Sequence, residues 1–378
     1  MGVPRPELTM GIEEEYLIVD RESRDLVRDL PDGLMSRCEE ILGPQVSPEF
    51  LRCQIEVGTN VCPTVAAARA DLKRLRRTIA DVTSDFGLAP ISASTHPFAA
   101  WSEQQHTDKE RYRLLAKAMA GVAQRLVICG MHVHVGIEDP DLRIDLMNQV
   151  VYFMPHLLAL STSSPFWGGQ DTGLKSYRTS IFRTLPRTGL PDEFSTWADY
   201  SRHVAVLVDA GVIEDATRLW WDVRPSARYP TLEMRSPDIC TSIDDALAIA
   251  AAFVCLLSML YRMRTTNQRW RIYSRMLIEE NLWRAQRYGF SEPLIDFGLG
   301  ELVPYPALLE ELISRVEPDA EMLGCVGEIH HLRTIVSEGT SADKQLGVYR
   351  AAIAGGSSEQ EALLAVVDFL IEETVRGT

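Results

Sequence analysis

Four short stretches of this chain set ionisable side chains at every second position of runs that otherwise read as β-strand, and that alternation limits how the chain can fold. Successive side chains on a strand point to opposite faces. In Gly11-Ile12-Glu13-Glu14-Glu15-Tyr16, Glu13 and Glu15 therefore point together while Glu14 points away. In Gly130-Met131-His132-Val133-His134-Val135-Gly136, two imidazoles share one face of an apolar strand bounded by glycines. In Thr231-Leu232-Glu233-Met234-Arg235, an acid and a base share a face, and Arg224 near the end of the preceding candidate strand can join them. In Glu49-Phe50-Leu51-Arg52-Cys53-Gln54-Ile55-Glu56, Glu56 has the parity of Gln54 and not of Glu49. A bulge or turn is needed to aim Glu49 at the same place.

Each stretch alone has a plain structural reading: an acidic strand end, an edge strand, a satisfied core histidine, a cross-strand ion pair. Together they line a sheet face with Glu13, Glu15, Glu56, His132 and Glu233, which is ruinous to bury without cations. Oxygen-rich ligation with no cysteine favours magnesium or manganese over zinc. Hard cations held by carboxylates beside arginines make a site for nucleotide phosphates and phosphoryl transfer.

The 378 residues show no repeat, low-complexity tract or long linker, so a single domain spanning 1–378 is expected. A net charge of −15 makes nucleic acid and anionic membrane poor partners. The seven cysteines form no C-x-x-C pair, which suits reduced thiols in a cytoplasm. The apolar run Ala246–Tyr261 is 16 residues, short of the roughly 20 needed to cross a bilayer, and reads as a buried core helix.

The spacing predicts strands at Thr9–Asp20, Leu126–Ile137, Trp220–Arg224 and Thr231–Arg235. Helices are predicted from Pro63 towards Phe86, with Lys73, Arg74, Arg76 and Arg77 mainly on a solvated face, and over Leu142–Leu160 with a kink at Pro155. The last third is almost wholly helical: Ile243–Arg264, Arg269–Arg287, Pro306–Val316, Asp319–Ser337 and two more.

The strand at 11–20, the Gly130-Met131-His132-Val133-His134 strand, Gln54-Ile55-Glu56 and Glu233-Met234-Arg235-Ser236-Pro237-Asp238 resemble, in order, the motifs of the glutamine synthetase superfamily. With Tyr177–Arg183, Trp220–Pro225 and Glu280–Gly289, the chain is more closely similar to the type 2 glutamate–cysteine ligase family of bacterial carboxylate–amine ligases. The resemblance implies an α+β fold: a curved, mainly antiparallel sheet of the glutamine synthetase catalytic-domain type, flanked by helices, with a helical C-terminal third. It implies that Glu15, Glu49 and Glu56 bind one Mg2+ (or Mn2+) and Glu13, His132 and Glu233 another. His134 would approach ATP phosphate. Arg235 and Arg224 would be catalytic, with Arg178 and Arg183 binding substrate. Asn281, Arg284 and Arg287 match a helix motif of the closer family without an assigned role, and His330 and His331 are expected at the surface or as caps.

The implied reaction joins a carboxylate, glutamate's γ-carboxylate, to an amine such as cysteine. ATP supplies an acyl phosphate, because a carboxylate has no usable leaving group at neutral pH. The small-molecule partners are thus glutamate or a similar carboxylate, an amine and ATP, and a homodimer is expected. Two other readings stay open at this point: a phosphagen-type guanidino kinase, and a non-catalytic homologue that keeps nucleotide and metal.

Overall fold

The structure is a computed structural model that describes residues 4–108, 110, 113 and 119–378. In its first half, β1 (Met10–Asp20), α1 (Leu34–Leu42), β2 (Val46–Pro48), β3 (Gln54–Gly58), α2 (Val65–Ser84), β4 (Leu88–Ile91) and β5 (Met131–Gly136) follow in order. Next come α3 (Pro140–Val150), α4 (Met154–Ser161), β6 (Phe166–Trp167), β7 (Gln170–Asp171), α5 (Tyr177–Phe182), β8 (Thr188–Gly189) and α6 (Trp197–Asp209). Then come β9 (Trp220–Trp221), which pairs with β8 apart from the main sheet, and β10 (Val223–Pro225) and β11 (Thr231–Met234), which complete it. The remainder runs α7 (Ile243–Thr265), α8 (Arg275–Tyr288), β12 (Leu294–Asp296), β13 (Glu301–Val303), α9 (Tyr305–Leu323), α10 (Val326–Glu338), α11 (Ser341–Ala354) and α12 (Glu359–Val375).

One antiparallel sheet of order β10-β11-β5-β1-β3-β2 organises the molecule, with β4 paired to the far end of β1. β1 is the hub. Met10–Glu14 pair with β5, Glu13–Leu17 with β3 and Leu17–Asp20 with β4. Its even-numbered side chains Ile12, Glu14, Tyr16 and Ile18 are buried on the helix-covered face, while Glu13 and Glu15 look out of the other.

Thr64 caps α2 by accepting from the Ala67 N–H at 3.1 Å. Val65, Ala68, Leu72, Leu75, Ile79 and Val82 then bury one stripe of α2 beneath the sheet. Arg76 departs from the solvated face expected for its cluster. It is 1% exposed and forks onto Glu14 through Nε–Oε2 at 2.8 Å and Nη2–Oε1 at 2.6 Å. It also donates to the main-chain carbonyls of Cys240 (2.8 Å) and Thr241 (2.7 Å), and the Tyr16 hydroxyl donates to Glu14 at 2.6 Å. Helical spacing itself sets Arg76 in the buried stripe, four residues after Leu72 and three before Ile79, and its partner lies 62 residues away on β1.

α7 is long and apolar enough to cross a membrane, yet 94% of its most apolar window is buried inside the fold. Acids Asp244 and Asp245 in its first turn and Arg262 and Arg264 in its last complement the helix dipole. It packs against α2, α3, α4, α9, α10 and β5, so the expected core helix is found. All seven cysteines are free and buried.

Several boundaries differ from the sequence reading. The kink at Pro155 is a break: α3 ends at Val150, a 3-10 turn follows, and Pro155 sits in the first turn of α4, where its missing N–H costs nothing. The break expected before Asp319 is absent. α9 runs through Pro318 to Leu323 and ends at Gly324 in the left-handed region. Buried Asp319 accepts from Ser258 (2.7 Å) and from Arg262 (2.7 and 3.0 Å), anchoring that stretch to α7. Residues 269–274 are not helical, Leu126–Gly130 lies outside β5, and Trp220–Arg224 is two short strands parted at Asp222.

Candidate active site

Strand register assembles the ionisable side chains into one surface. Glu13 stands opposite His132, and Glu15 opposite Glu56. His134 stands opposite both Gly11 and Glu233, and Glu233 opposite Arg224. Residues 49–53 form a turn rather than strand, which is the device that aims Glu49 inward. A cavity of about 440 Å³ is lined by Glu13, Glu15, Glu49, Glu56, His132, His134, Arg224, Glu233 and Arg235 together. The glycines serve this packing. A Cβ on Gly130 would lie 2.5 Å from Arg178 Nη2, and one on Gly136 would lie 2.6 Å from Thr9 Oγ1.

The carboxylates fall into two electrostatic groups. Glu233 is gripped by Arg224 through Nε–Oε2 at 2.9 Å and Nη2–Oε1 at 3.1 Å, and by Arg235 Nη1. Burial alone would raise its pKa, but the two guanidiniums hold the carboxyl well below the usual range. Glu13 lies 3.2 Å from His132 Nδ1 and 3.5 Å from His134 Nε2. Burial opposes its ionisation, and the two imidazoles outweigh that and pull its pKa well down. Burial and the Arg235 charge lower the pKa of His132. His134 loses by burial and gains more from Glu13 and Glu233, so its pKa rises.

Glu56 is the opposite case. Burial, and then the charges of Glu49, Glu13 and Glu15, push its carboxyl well above the ordinary value; Ser47 Oγ at 3.2 Å offsets this only in part. Glu15 accepts the Gly130 N–H at 2.7 Å. Like charges placed directly across a sheet destabilise it, so the Glu15–Glu56 side of the cavity is short of positive charge. That deficit and the all-oxygen donors fit a hard divalent cation. Glu13, His132 and Glu233 have the right chemistry for a second cation but are engaged with their own partners. Among the described residues, no three such side chains already close around a point as a ready-made metal cage.

Arg178 and Arg183 do not line this cavity. Arg178 lies behind it, donating to the carbonyls of Ser236 (3.2 Å) and Arg235 (3.1 Å), with Asp238 at 3.8 Å. Arg183 reaches Asp222 at 3.5 Å. Both border a small enclosed space beside Arg235. Their motif places them near the right backbone, and only the tertiary path of α5 shows which side they approach from. Asn281 exchanges hydrogen bonds with the Ile295 main chain at 2.8 Å each way, Arg284 donates to Pro293 O and Arg287 to Gly173 O. These three tie α8 to its neighbouring loops. Exposed His330 lies 2.9 Å from Glu317 through Nε2, as expected of a surface residue, whereas half-buried His331 Nε2 lies 2.7 Å from the buried Asp245 in the first turn of α7.

The sequence reading missed Arg218, Arg228, Trp220 and Tyr229, which also line the cavity. Arg218, Arg228 and Tyr229 are single residues on turns with no period or pair to mark them; Trp220 lies in the Trp220–Pro225 motif, which gave it no role. A second cavity of about 650 Å³ shares Glu13, Ser47, Glu56, His134, Arg228 and Tyr229 with the first and extends past Gln45, Asn60 and Thr9. The groove is rich in arginine at one end, while the other carries Gln45, Asn60 and Thr9 together with Glu7 and Glu138.

Comparison with known proteins agrees with this arrangement. The sequence model of glutamate–cysteine ligase family 2 matches residues 9–364. A protein of Rhodospirillum rubrum, provisionally named glutamate–cysteine ligase 2, is 62% identical over 374 residues, spanning 98% of this chain and 96% of that relative. Proteins given the same provisional name in Ruegeria pomeroyi and Chloroflexus aggregans are 55% identical over 372 residues and 44% over 369; each match spans 98% of this chain and, respectively, 96% and 92% of the relative. In fold, the chain is similar to a glutamate–cysteine ligase from Francisella tularensis in complex with AMP (TM-score 0.71, 14% identity, 100% of this chain and 90% of that one). It is also similar to a bifunctional glutathione synthetase from Pasteurella multocida (TM-score 0.69, 15% identity, 97% of this chain and 52% of that one). The mixed architecture of helices and antiparallel sheet expected from the motifs is thus the one observed. The class is that of carboxylate–amine ligases, enzymes that form C–N bonds. Within it, this chain belongs to glutamate–cysteine ligase family 2.

Proposed function

We propose that the enzyme activates the γ-carboxylate of glutamate with ATP as an acyl phosphate and passes the acyl group to an amine such as cysteine, releasing ADP and phosphate. The observation that carries this reading is the single cavity shared by Glu13, Glu15, Glu49, Glu56, His132, Glu233, Arg224 and Arg235. A metal-free cluster of that composition repels both ATP and a carboxylate substrate. Glu15, Glu49 and Glu56 would hold one Mg2+ or Mn2+, and Glu13, His132 and Glu233 the other. Bound there, the ions supply neutralising charge between two anionic substrates.

The chain's own groups do the rest. Arg235 reaches Glu233 from one side and Arg224 forks onto it from the other, so both guanidiniums are fixed before substrate arrives. Fixed donors cost no reorganisation when charge develops on a transferring phosphoryl group. Arg178 holds the carbonyls of Arg235 and Ser236 and so sets the backbone from which Arg235 projects. His134 stands where the two cavities join, with Nδ1 3.0 Å from Thr231 Oγ1, suited to a phosphate lying between the second cavity and the arginine-rich end. The second cavity, where Gln45, Asn60 and Thr9 offer uncharged hydrogen-bonding groups, suits the base and ribose of a nucleotide. A cytoplasmic homodimer completes the proposal, and free buried thiols suit a reducing compartment.

ADP release measured with glutamate against a panel of amines, with mass spectrometry of the product, tests the reading. An amide with equal amounts of ADP and phosphate is expected. A phosphorylated guanidine without free phosphate would replace the ligase by a kinase. Arg235→Ala is expected to impair turnover far more than ADP binding; undiminished turnover would remove Arg235 from the mechanism.

A further inference from the structure

The arginine-rich end of the groove contains a cation that the proposed chemistry leaves unemployed. Arg218 lines the cavity and is 8% exposed. Among the described residues its ion-pair partner is Glu214, at 3.3 Å through Nη2, and that carboxylate's side chain is 61% exposed. A solvated acid at that distance compensates a buried guanidinium poorly. A guanidinium has five N–H donors in a planar fork matched to a carboxylate. Arg218 therefore keeps unused donors towards the cavity.

Its position relative to the reacting groups is fixed. Arg224 Nη1 donates to Thr217 O at 3.0 Å and Leu219 O at 2.5 Å, on either side of Arg218, while the same guanidinium forks onto Glu233. Asp215 accepts the Thr217 N–H at 2.7 Å, and Arg187 Nε donates to Arg218 O at 3.1 Å. The turn that presents Arg218 is thus fastened to the Arg224–Glu233 pair. A group bound by Arg218 sits at a set offset from Arg235.

We propose that Arg218 is a specificity-determining residue that takes the non-reacting carboxylate of an α-amino-acid substrate in a bidentate pair. The inference rests on the ligase reading and deepens it. One carboxylate reacts beside Arg235, and a second is read by Arg218, so amines or acids without that second group are poor substrates. The carboxylate belongs either to the acyl donor or to the acceptor, and two substrate pairs separate these sources. Glutamate and 4-aminobutanoate differ only in the donor's α-carboxylate; cysteine and cysteamine differ only in the acceptor's.

Wild type, Arg218→Met and Arg218→Lys are compared by ADP release with each pair and by calorimetric titration of the same four compounds in the presence of Mg2+ and ADP, with thermal melts to check folding. In one pair, Arg218→Met is expected to lower kcat/KM for the carboxylate-bearing member by about 10- to 100-fold, mainly through KM, and to leave its decarboxylated analogue unchanged. Arg218→Lys should recover part of the loss. A merely structural role would weaken both members equally, and that result, or no loss in either pair, overturns the proposal. If wild type releases no ADP with any combination, the ligase reading fails. Calorimetry then still decides Arg218: selective weakening of a carboxylate-bearing ligand upholds its role, and absence of carboxylate-dependent binding to wild type overturns it.

Discussion

Replacing Arg76 by methionine removes the counter-charge of Glu14 from a place where both side chains are fully buried. Breaking a buried pair from one side leaves an uncompensated charge and costs about 3–5 kcal/mol. The carbonyls of Cys240 and Thr241 lose a charged donor as well. Those losses overlap with the first, since the same side chain makes them all, so the sum stays near about 4 kcal/mol. At roughly 2 °C per kcal/mol for a chain of this size, Arg76→Met should melt roughly 6–10 °C below wild type. The remedy is specific. Adding Glu14→Leu removes the stranded carboxylate, and an apolar pair of similar volume is often as stable as the ion pair it replaces, so the double variant should regain most of the loss. In the single variant Glu14 escapes its penalty by binding a proton, so its deficit should shrink on going from pH 7 to pH 5. Urea unfolding followed by circular dichroism, with calorimetric melts, reads all three quantities. A single variant within 2 °C of wild type, or a double variant no better than the single, would refute the reasoning.

Three further outcomes follow from other sites. Gly130→Ala should lose about 1–3 kcal/mol in urea unfolding, because its Cβ would lie 2.5 Å from the Arg178 guanidinium; a neutral result would show that Arg178 moves freely. Glu56→Gln relieves repulsion from Glu49, Glu13 and Glu15, so without metal it should melt at or above the wild-type temperature, and the rise in melting temperature with MgCl2 that the proposed function expects of wild type should be smaller in the variant; a variant several degrees less stable without metal would contradict this. His96 and His156 are buried neutral, burial taking each pKa down to about 4. The His96 Nδ1 accepts from the Phe98 and Ala99 N–H groups, a place with no room for a proton. The unfolded chain protonates first, so stability should fall as pH drops from about 6.5 towards 4, by about 1.4 kcal/mol per pH unit for each histidine; His156→Leu should reduce that slope by one proton, as read from urea midpoints across the pH series.

What the sequence discloses and what it conceals divide along physical lines. Strand alternation is local, so the shared face of Glu13 and Glu15, that of His132 and His134, and the opposite face of Glu14 are all legible in the order of residues. The need for a turn to bring in Glu49 is legible too, because its parity with Glu56 is wrong. Long-range pairing is not. Arg76 alone of its basic cluster falls on the apolar stripe of α2, between Leu72 and Ile79, so its burial is readable from helical position, but the acid that meets it 62 residues away is not. Arg178 and Arg183 carry a motif but not a direction of approach. Arg218 carries neither, since one arginine on a three-residue turn has no periodicity to betray it. In the helices, local rules mark Pro155 correctly and misjudge Pro318, where α9 is pinned to α7 through Asp319.

β1 has a further consequence. Its side chains alternate between an acidic cluster lining the cavity and an oily interior, and three different strands lock it in place. Sliding the strand by a single residue would drive Glu13 and Glu15 into hydrocarbon and turn Ile12, Glu14 and Tyr16 outward. The segment can therefore accept exchanges of one side chain for another far more readily than the gain or loss of a residue: an indel between 10 and 20 would invert chemistry and core together.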